Sequence, residues 1–428
     1  MADQLNANSL GIVESVIMGI AGTAPAYSIE ITTSTIIGTA GTLSPASILA
    51  CGLIMFGIAF AFIHLNRSMA NAGTSFAWVT HVFGPALGFL AGWALLVLCC
   101  VFMVSAMIPA ANATLLIFRP DLMNNVHYVT LIEGVILLVI IVMAFVMFPK
   151  APVHPFSWHW FSPLAFTPAA FASGALVAIF FYYGWDVTMN LSEETRDPSR
   201  TPGRAAFWSM VFLMAFFLVF ITITLMGLSD DEIQHYNTNI IFAIAEKVLG
   251  KTWGYIAIIA VLLSTVGTVE TQMLQFTRTL FAKGRAGALH RRYSRLHPRW
   301  QTPHIAIFFI WIAGLVLLFV SSYLPTINVI LQDSITAIGF QICFYLGLTG
   351  LACGWHFRRR LGAGVLPALT EVLWPAASGA FMFFIAIYSI PTFDLVTNLV
   401  GMGGIAIGLV PLFLNRKKIW KVAASPAA

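Results

Sequence analysis

Apolar stretches of about twenty residues recur along almost the whole chain, and this recurrence restricts the fold more than any motif does. A helix needs about 20 predominantly apolar residues to cross a bilayer. On that rule about eleven candidates appear, at roughly 11–36, 45–66, 86–117, 129–148, 171–191, 205–227, 252–281, 304–324, 326–355, 371–391 and 395–414. Of the 428 residues 59% are hydrophobic and only 9% charged, whereas a soluble domain carries about 25% charged residues. No soluble fold keeps so much apolar surface from water. In lipid, spanning segments must pair their backbone groups internally. The expected class is an all-α polytopic membrane protein, with residues 1–428 forming one transmembrane domain. The net charge of +5 does not point to nucleic acid, because the basic residues gather in short loops between apolar spans. Such clusters mark the cytoplasmic side.

Those loops are at Arg67, at Arg196, Arg200 and Arg204, from Lys283 to Arg299, at Arg358 to Arg360, and from Arg416 to Lys421. The C-terminus is therefore expected in the cytoplasm, with the membrane being the plasma (inner) membrane. From residue 196 onward two spans separate each basic loop from the next, and the acidic loop Ser229 to Asn239 falls outside. The first half does not alternate, because three spans lie between Arg67 and Arg196. Lys150 and the run Trp158-His159-Trp160 read as an outer interfacial segment, so either a crossing is missing between Arg119 and Tyr128 or one of the apolar segments does not cross. That stretch, RPDLMNNVHY, is too polar to be a span, and fully extended it reaches only about 35 Å.

The five cysteines, Cys51, Cys99, Cys100, Cys343 and Cys353, lie in apolar stretches without metal spacing. They read as small buried hydrophobes, and no metal or cofactor is expected. The N-terminal MADQLNANSLGIVES carries no basic leader, so the first span is expected to be retained.

Two spans carry helix breakers at their centres. In the first, Gly19, Gly22 and Pro25 fall within seven residues. Proline lacks a donor and clashes with the preceding turn. A break here would bare amide N–H groups at the positive end of an outer half-helix, which suits a carboxylate. The alternative is a tight helix crossing built on small residues. In the fifth span Phe180-Phe181-Tyr182-Tyr183 meets Gly184, Trp185 and Asp186. A carboxylate in an apolar span costs about 3 kcal/mol on insertion scales and faces protein or water rather than lipid. The alternative here is a kinked helix with one solvated acid. Interrupted helices at matching positions of two halves are the best sequence pointer to a transporter site. Taken together they suit a zwitterion, with its carboxylate on the first break and its ammonium on the carbonyls of the second.

On these residues the chain resembles the amino acid–polyamine–organocation superfamily of secondary transporters, and its amino acid permease branch. TAPAYSI resembles that family's first-helix motif, and NAGTSFAWVTHVFGPALGFLAGW the stretch leading into its third helix. FFYYGWDVTMNLSEETRDPSRTPGRA resembles the sixth-helix signature, and TQMLQFTRTLFAKGRAGALHRRYSRLHPRWQTP the eighth helix and its loop. The resemblance implies a leucine-transporter-like fold of two inverted five-helix repeats, here about 11–191 and 205–355, plus two further helices at about 371–414. TLIEGVILLVIIV is similar to the fifth helix, so the helix this chain lacks is the fourth, in accord with the loop parity. The resemblance further places a substrate carboxylate at Gly19 and Ala21, Gly22, Thr23 and Ala24, and the amine at Phe180, Phe181, Tyr182, Tyr183 and Gly184. Phe181 or Tyr182 would gate the solute.

Asp186, Glu133 and Glu270 are the acids placed to carry a coupling proton, since intramembrane carboxylates mark proton relays. Each has the alternative of being satisfied by a neighbouring hydroxyl or backbone group, and for Glu14, at the edge of the first span, that reading is preferred. Sodium, which would use hydroxyls such as Ser264, Thr265 and Thr268, ranks behind protons, because helix hydroxyls more often bond their own backbone. The expected function is amino acid transport by alternating access, proton-coupled, with substrate, proton and lipid bilayer as partners. The alternatives are a solute-binding sensor or a transport-inactive, internally deleted variant of the same fold, or an amino acid/polyamine exchanger. HExxH, GxSxG and clustered histidines are all lacking, so an enzyme is not expected.

Overall fold

The computed structural model describes residues 5–114, 126–166, 168–237, 239–321 and 327–424. Side chains are described for these except at 104–114, 126–134, 168–170, 172–173, 253, 318, 321, 327–336, 392 and 421–424. Among the described residues the long apolar stretches fall on helix, and there is no strand beyond one isolated bridge.

The chain opens with α1 (Ile12–Thr23) and α2 (Pro25–Ala40), followed by α3 (Ser44–Ser68). A short α4 (Ser75–Phe83) leads into α5 (Pro85–Thr114). After it come α6 (Val126–Met147), α7 (Pro168–Phe181), the single turn α8 (Val187–Asn190) and α9 (Thr201–Gly227). Two short helices, α10 (Asp230–Tyr236) and α11 (Ile240–Leu249), precede the 35-residue α12 (Lys251–Arg285). The rest is α13 (His304–Ser321), α14 (Ile327–His356), α15 (Val365–Pro367), α16 (Trp374–Ser389), α17 (Leu395–Asn398), α18 (Gly404–Ile407), α19 (Leu409–Leu414) and α20 (Arg416–Ala424). π-helical turns at Ala368–Leu373 and Leu399–Gly403 join α15 to α16 and α17 to α18.

Lipid offers helices no hydrophobic drive to associate, so close packing must hold them. At the α14–α16 crossing Gly350 lies so near Gly379 and the Pro375 carbonyl that a β-carbon would come within 3.0 Å of each. The centre of the bundle is α1, α2, α7 and α8, packed on α9 and α12. Large aromatics fill it: Tyr27, Phe62, Trp78, Tyr182, Trp185, Phe217 and Tyr345 are all almost fully buried.

Contacts fix the two ends of the bundle. Asn66 Nδ2 donates to the Pro198 carbonyl at 2.8 Å, so the loops carrying Arg67 and Arg196 share one end. α9 starts there and, at about 1.5 Å per residue, ends roughly 40 Å away. At that far end Val153 N donates to the Met226 carbonyl and Phe148 covers Gly227. The segment after α6 thus lies opposite the basic loops. The stretch between Arg119 and Tyr128, where a crossing was expected to be missing, lies largely outside the described residues.

The acidic stretch read as a loop is in fact largely helical. Ser229 accepts from Glu232 N while Glu232 accepts from Ser229 N, a reciprocal cap that starts α10. α11 then lies across α2 and α12.

Candidate functional site

Both expected helix breaks exist, and they touch. α1 ends at Thr23, and Ala24 takes a left-handed conformation (φ 49°, ψ 69°) before Pro25 starts α2. Proline suits this first helical position, where its missing donor costs nothing. α7 ends at Phe181, and residues 182–186 turn before α8. Gly184 has φ +112°, which favours glycine. A β-carbon on Gly184 would sit 2.0 Å from the Gly22 carbonyl oxygen, and one on Gly22 would sit 2.3 Å from that of Gly184. Backbone meets backbone, so no guest molecule fits within this contact.

The breaks differ in what they leave unpaired. At the first, Ala24 N donates to the Ile20 and Ala21 carbonyls. Ser28 Oγ donates to the Thr23 carbonyl at 2.7 Å, and Thr268 Oγ1 of α12 to the Gly22 carbonyl at 3.0 Å. The amides of Ala21, Gly22 and Thr23 lie inside α1, so the donor-rich end of this break is the start of α2, where Tyr27 N donates to Ser264 Oγ at 3.4 Å. Gly19 packs on Ser209 and Thr188. At the second break Tyr182 N and Tyr183 N reach back to the Ile179 and Phe180 carbonyls. Among the described residues, the carbonyls of Phe181, Tyr182 and Tyr183 accept no hydrogen bond.

The aromatic run divides by direction. Phe181 and Tyr182 meet Phe217 of α9 edge-on at 5.0 and 5.6 Å, and Tyr182 Oη donates to the Ile48 carbonyl of α3. Tyr183 turns to α12 instead, its hydroxyl 2.6 Å from Gln272 Oε1 and 2.9 Å from Gln275 Oε1, two acceptors for its one proton. Phe180 is buried in the core. Asp186 is 1% exposed and accepts from Tyr345 Oη of α14 at 2.9 Å. Gln275 Nε2 reaches Asn190, which bonds the Ala72 carbonyl and Thr279.

The remaining coupling candidates are scattered. Thr268 bridges to the first break, whereas Thr265 bonds its own helix at Val261. Glu270 is exposed on α12. Glu133 lies on α6, its side chain outside the described residues. Glu14 accepts from Gly11 N at the start of α1, a plain capping role. No group of His, Cys, Asp or Glu suited to a metal occurs among the described residues.

Three sets of residues escaped the sequence reading. Glu30, buried in α2, accepts from Ile241 N at the head of α11. Gln272, Gln275 and Tyr345 ring the second break; polar residues in apolar spans were the available signal. Glu193 and Glu194 hold Arg285 and Arg278 in two-pronged ion pairs, with contacts of 2.6–2.9 Å. Burial alone would raise the Glu193 carboxyl. The Arg285 guanidinium and the Ala72 amide outweigh burial and hold it below the usual carboxylate range. The N-terminal segment pairs with the same loop, Ser9 N to the Glu194 carbonyl and Arg196 N to the Leu10 carbonyl. Together these contacts close the basic end of the bundle.

Against this geometry, residues 126–410, about two thirds of the chain, match the amino acid permease family model. The chain belongs to the amino acid permease family. That family, in the amino acid–polyamine–organocation superfamily, is one of transporters rather than enzymes, and the chain is an integral multi-pass membrane protein. It is 29% identical over 179 residues to the branched-chain amino acid permease BcaP of Bacillus subtilis, covering 41% of this chain and 37% of that one. It is 25% identical over 257 residues to the serine/threonine exchanger SteT of the same organism, covering 58% and 55%. The match thus spans about a third to a half of these two relatives' lengths. In fold the chain is similar to a mutant manganese transporter of Eremococcus coleocola, with TM-score 0.55, 11% identity, and 96% and 95% of the two chains covered. The likeness is to the leucine-transporter-like architecture, with its paired interrupted helices.

Proposed function

We propose that this permease-family chain is a secondary transporter that moves an amino acid across the plasma membrane by alternating access. The carrying observation is the second break, where three adjacent carbonyls have no hydrogen-bond partner among the described residues, in the centre of the bundle beside the positive end of α2. Bare carbonyls attract an ammonium, and a helix N-terminus attracts a carboxylate. The substrate is a neutral or weakly charged amino acid, seated beside the Gly22–Gly184 contact, with Tyr183, Gln272 and Gln275 on the α12 side. The names of the relatives, a branched-chain amino acid permease and a serine/threonine exchanger, support that substrate class.

The coupling ion in this reading is a proton, and Asp186 is its first candidate carrier. It lies two residues beyond Gly184 and is held by a neutral phenol, with no cation paired to it among the described residues. Glu270 and Glu133 follow it in order. The two repeats run over about 11–191 and 205–355, with the basic loops and the C-terminus in the cytoplasm.

Uptake of labelled amino acids into proteoliposomes, with and without an inward proton gradient, tests the reading. Gradient-stimulated uptake supports it. No uptake of any proteinogenic amino acid by folded protein would overturn it. A second reading, a same-fold binder that does not transport, is favoured by the lack of a fourth-helix-like apolar stretch in the sequence. Saturable binding without uptake in the same preparation would select it.

A further inference from the structure

Away from the solute path, a cavity of about 360 Å³ lies at the basic end of the bundle, between α3, the start of α9 and the turn leading into α16. That volume is within the range of small-ligand sites, about 300–1,000 Å³. Its walls include Phe60, His64 and Arg67 from α3, Arg204 and Trp208 from α9, and Thr370.

Two features separate it from a packing gap. The first is charge. Arg278, Arg285 and Arg360 each hold a carboxylate. The side chains of Arg67 and Arg204 form no hydrogen bond or ion pair among the described residues, although they face one another's cavity from two different helices. The nearest acid, Glu371, is within electrostatic reach of Arg67 and His64, but both its oxygens are taken by Arg360 at 2.9 and 3.2 Å. The second is position. The arginines stand at the ends of spanning helices, where lipid phosphates lie. Trp208 is 58% exposed and Leu366 70% exposed beside the same cavity.

We propose that this cavity binds the phosphodiester headgroup of an anionic phospholipid. Arg67 and Arg204 clamp the phosphate, a geometry guanidinium serves well. The ring faces of Phe60 and Trp208 receive the first part of the acyl chains. Basic pockets between helices at this depth are the expected receptors for such headgroups. The apolar mouth favours a lipid over free phosphate, which carries nothing for the rings to bury.

The test uses the full chain in detergent, with thermal unfolding and native mass spectrometry read after adding phosphatidylglycerol, phosphatidylcholine or inorganic phosphate. Phosphatidylglycerol should raise the melting temperature and stay bound, and the other two should do neither. R67Q/R204Q should weaken phosphatidylglycerol binding about twenty-five-fold, about fivefold for each charge removed near the headgroup. R416Q/K417Q, in the separate C-terminal basic cluster, should leave it unchanged. An unaltered affinity in folded R67Q/R204Q overturns the proposal. So does inorganic phosphate alone giving the full shift, which would assign the site to a free anion. If the glutamine pair does not fold, Thr370→Trp fills the cavity while keeping both arginines, and retained lipid binding there overturns the proposal equally.

Discussion

The two interruptions at the centre of the bundle achieve the same outcome by different means. The first is made by a single left-handed residue, Ala24, placed before a proline. Its loosened carbonyls are taken up at once by Ser28 and by Thr268 of α12. The second takes five residues, centres on Gly184, and leaves the Phe181, Tyr182 and Tyr183 carbonyls without partners among the described residues. A bare peptide group in the core of a membrane protein costs several kcal/mol unless it lines a site. On the proposed reading the first break is a fixed support braced on α12, and the second is where ligand chemistry resides. The polarity follows, since the support offers the positive end of α2 and the open break offers oxygen.

The sharpest way to break this comparison is at the point of contact. Gly184→Ala adds a β-carbon 2.0 Å from the Gly22 oxygen at a residue whose φ is +112°. Strain at positive φ costs about 1–2 kcal/mol, and overpacking adds about 1–3 kcal/mol. The folded-protein peak in size-exclusion chromatography should largely vanish. Gly22→Ala faces a similar clash but at an ordinary helical φ, so it should be the milder of the two. Equal tolerance of both would mean that the breaks do not touch in the protein.

Next in size is Asp186→Asn. The amide keeps an oxygen for the Tyr345 hydroxyl, so folding should hold. Proton-driven uptake should fall to the level seen without a gradient, while exchange of internal for external amino acid continues. Undiminished gradient-driven uptake would move the coupling role to Glu270 or Glu133.

How much of this was legible in the sequence depends on what local chemistry dictates. Span positions were, because hydrocarbon thickness sets their length, and so were both breaks, because Pro25 and Gly184 act on their own backbone. The detail of the first break was not legible: a single left-handed residue, Ala24, leaves the amides of Ala21, Gly22 and Thr23 inside α1, so the N-terminal end at this break is that of α2. Gln272, Gln275 and Tyr345 were hidden because only tertiary packing brings α12 and α14 to the second break. Glu30 was hidden for the same reason: its partner, Ile241 N, is 211 residues away.

A smaller effect is expected at the basic end, which closes through side chains and not through glycine contact. Glu193 is held below the usual carboxylate range when folded, by Arg285 and the Ala72 amide against the opposing effect of burial. A depressed folded value means that its stabilisation is complete above the unfolded carboxyl value of about 4.3. It is lost as pH falls through the lower folded value. Glu193→Gln should cost about 1–2 kcal/mol at neutral pH, the range for hydrogen bonds to charged groups in a partly exposed site. It should also flatten the acid limb of the melting-temperature profile. A variant that melts in parallel with the parent at every pH would show that the pair contributes nothing to the closed end.

A pair of threonine variants separates the two breaks most cleanly. Thr268→Val keeps the shape of the side chain and removes the hydroxyl that donates to the Gly22 carbonyl. The neighbouring Thr265 hydroxyl bonds only its own helix, at the Val261 carbonyl. Leaving a buried carbonyl unpaired costs about 1–3 kcal/mol, whereas replacing a helix-internal hydroxyl costs far less. Thr268→Val should thus lower the melting temperature and Thr265→Val should not. If the first break is a support, Thr268→Val should also loosen substrate affinity without changing which amino acids bind, because the bare carbonyls that meet the ammonium belong to the other break. A change of substrate preference in Thr268→Val would place recognition at the first break and reverse the assignment of roles.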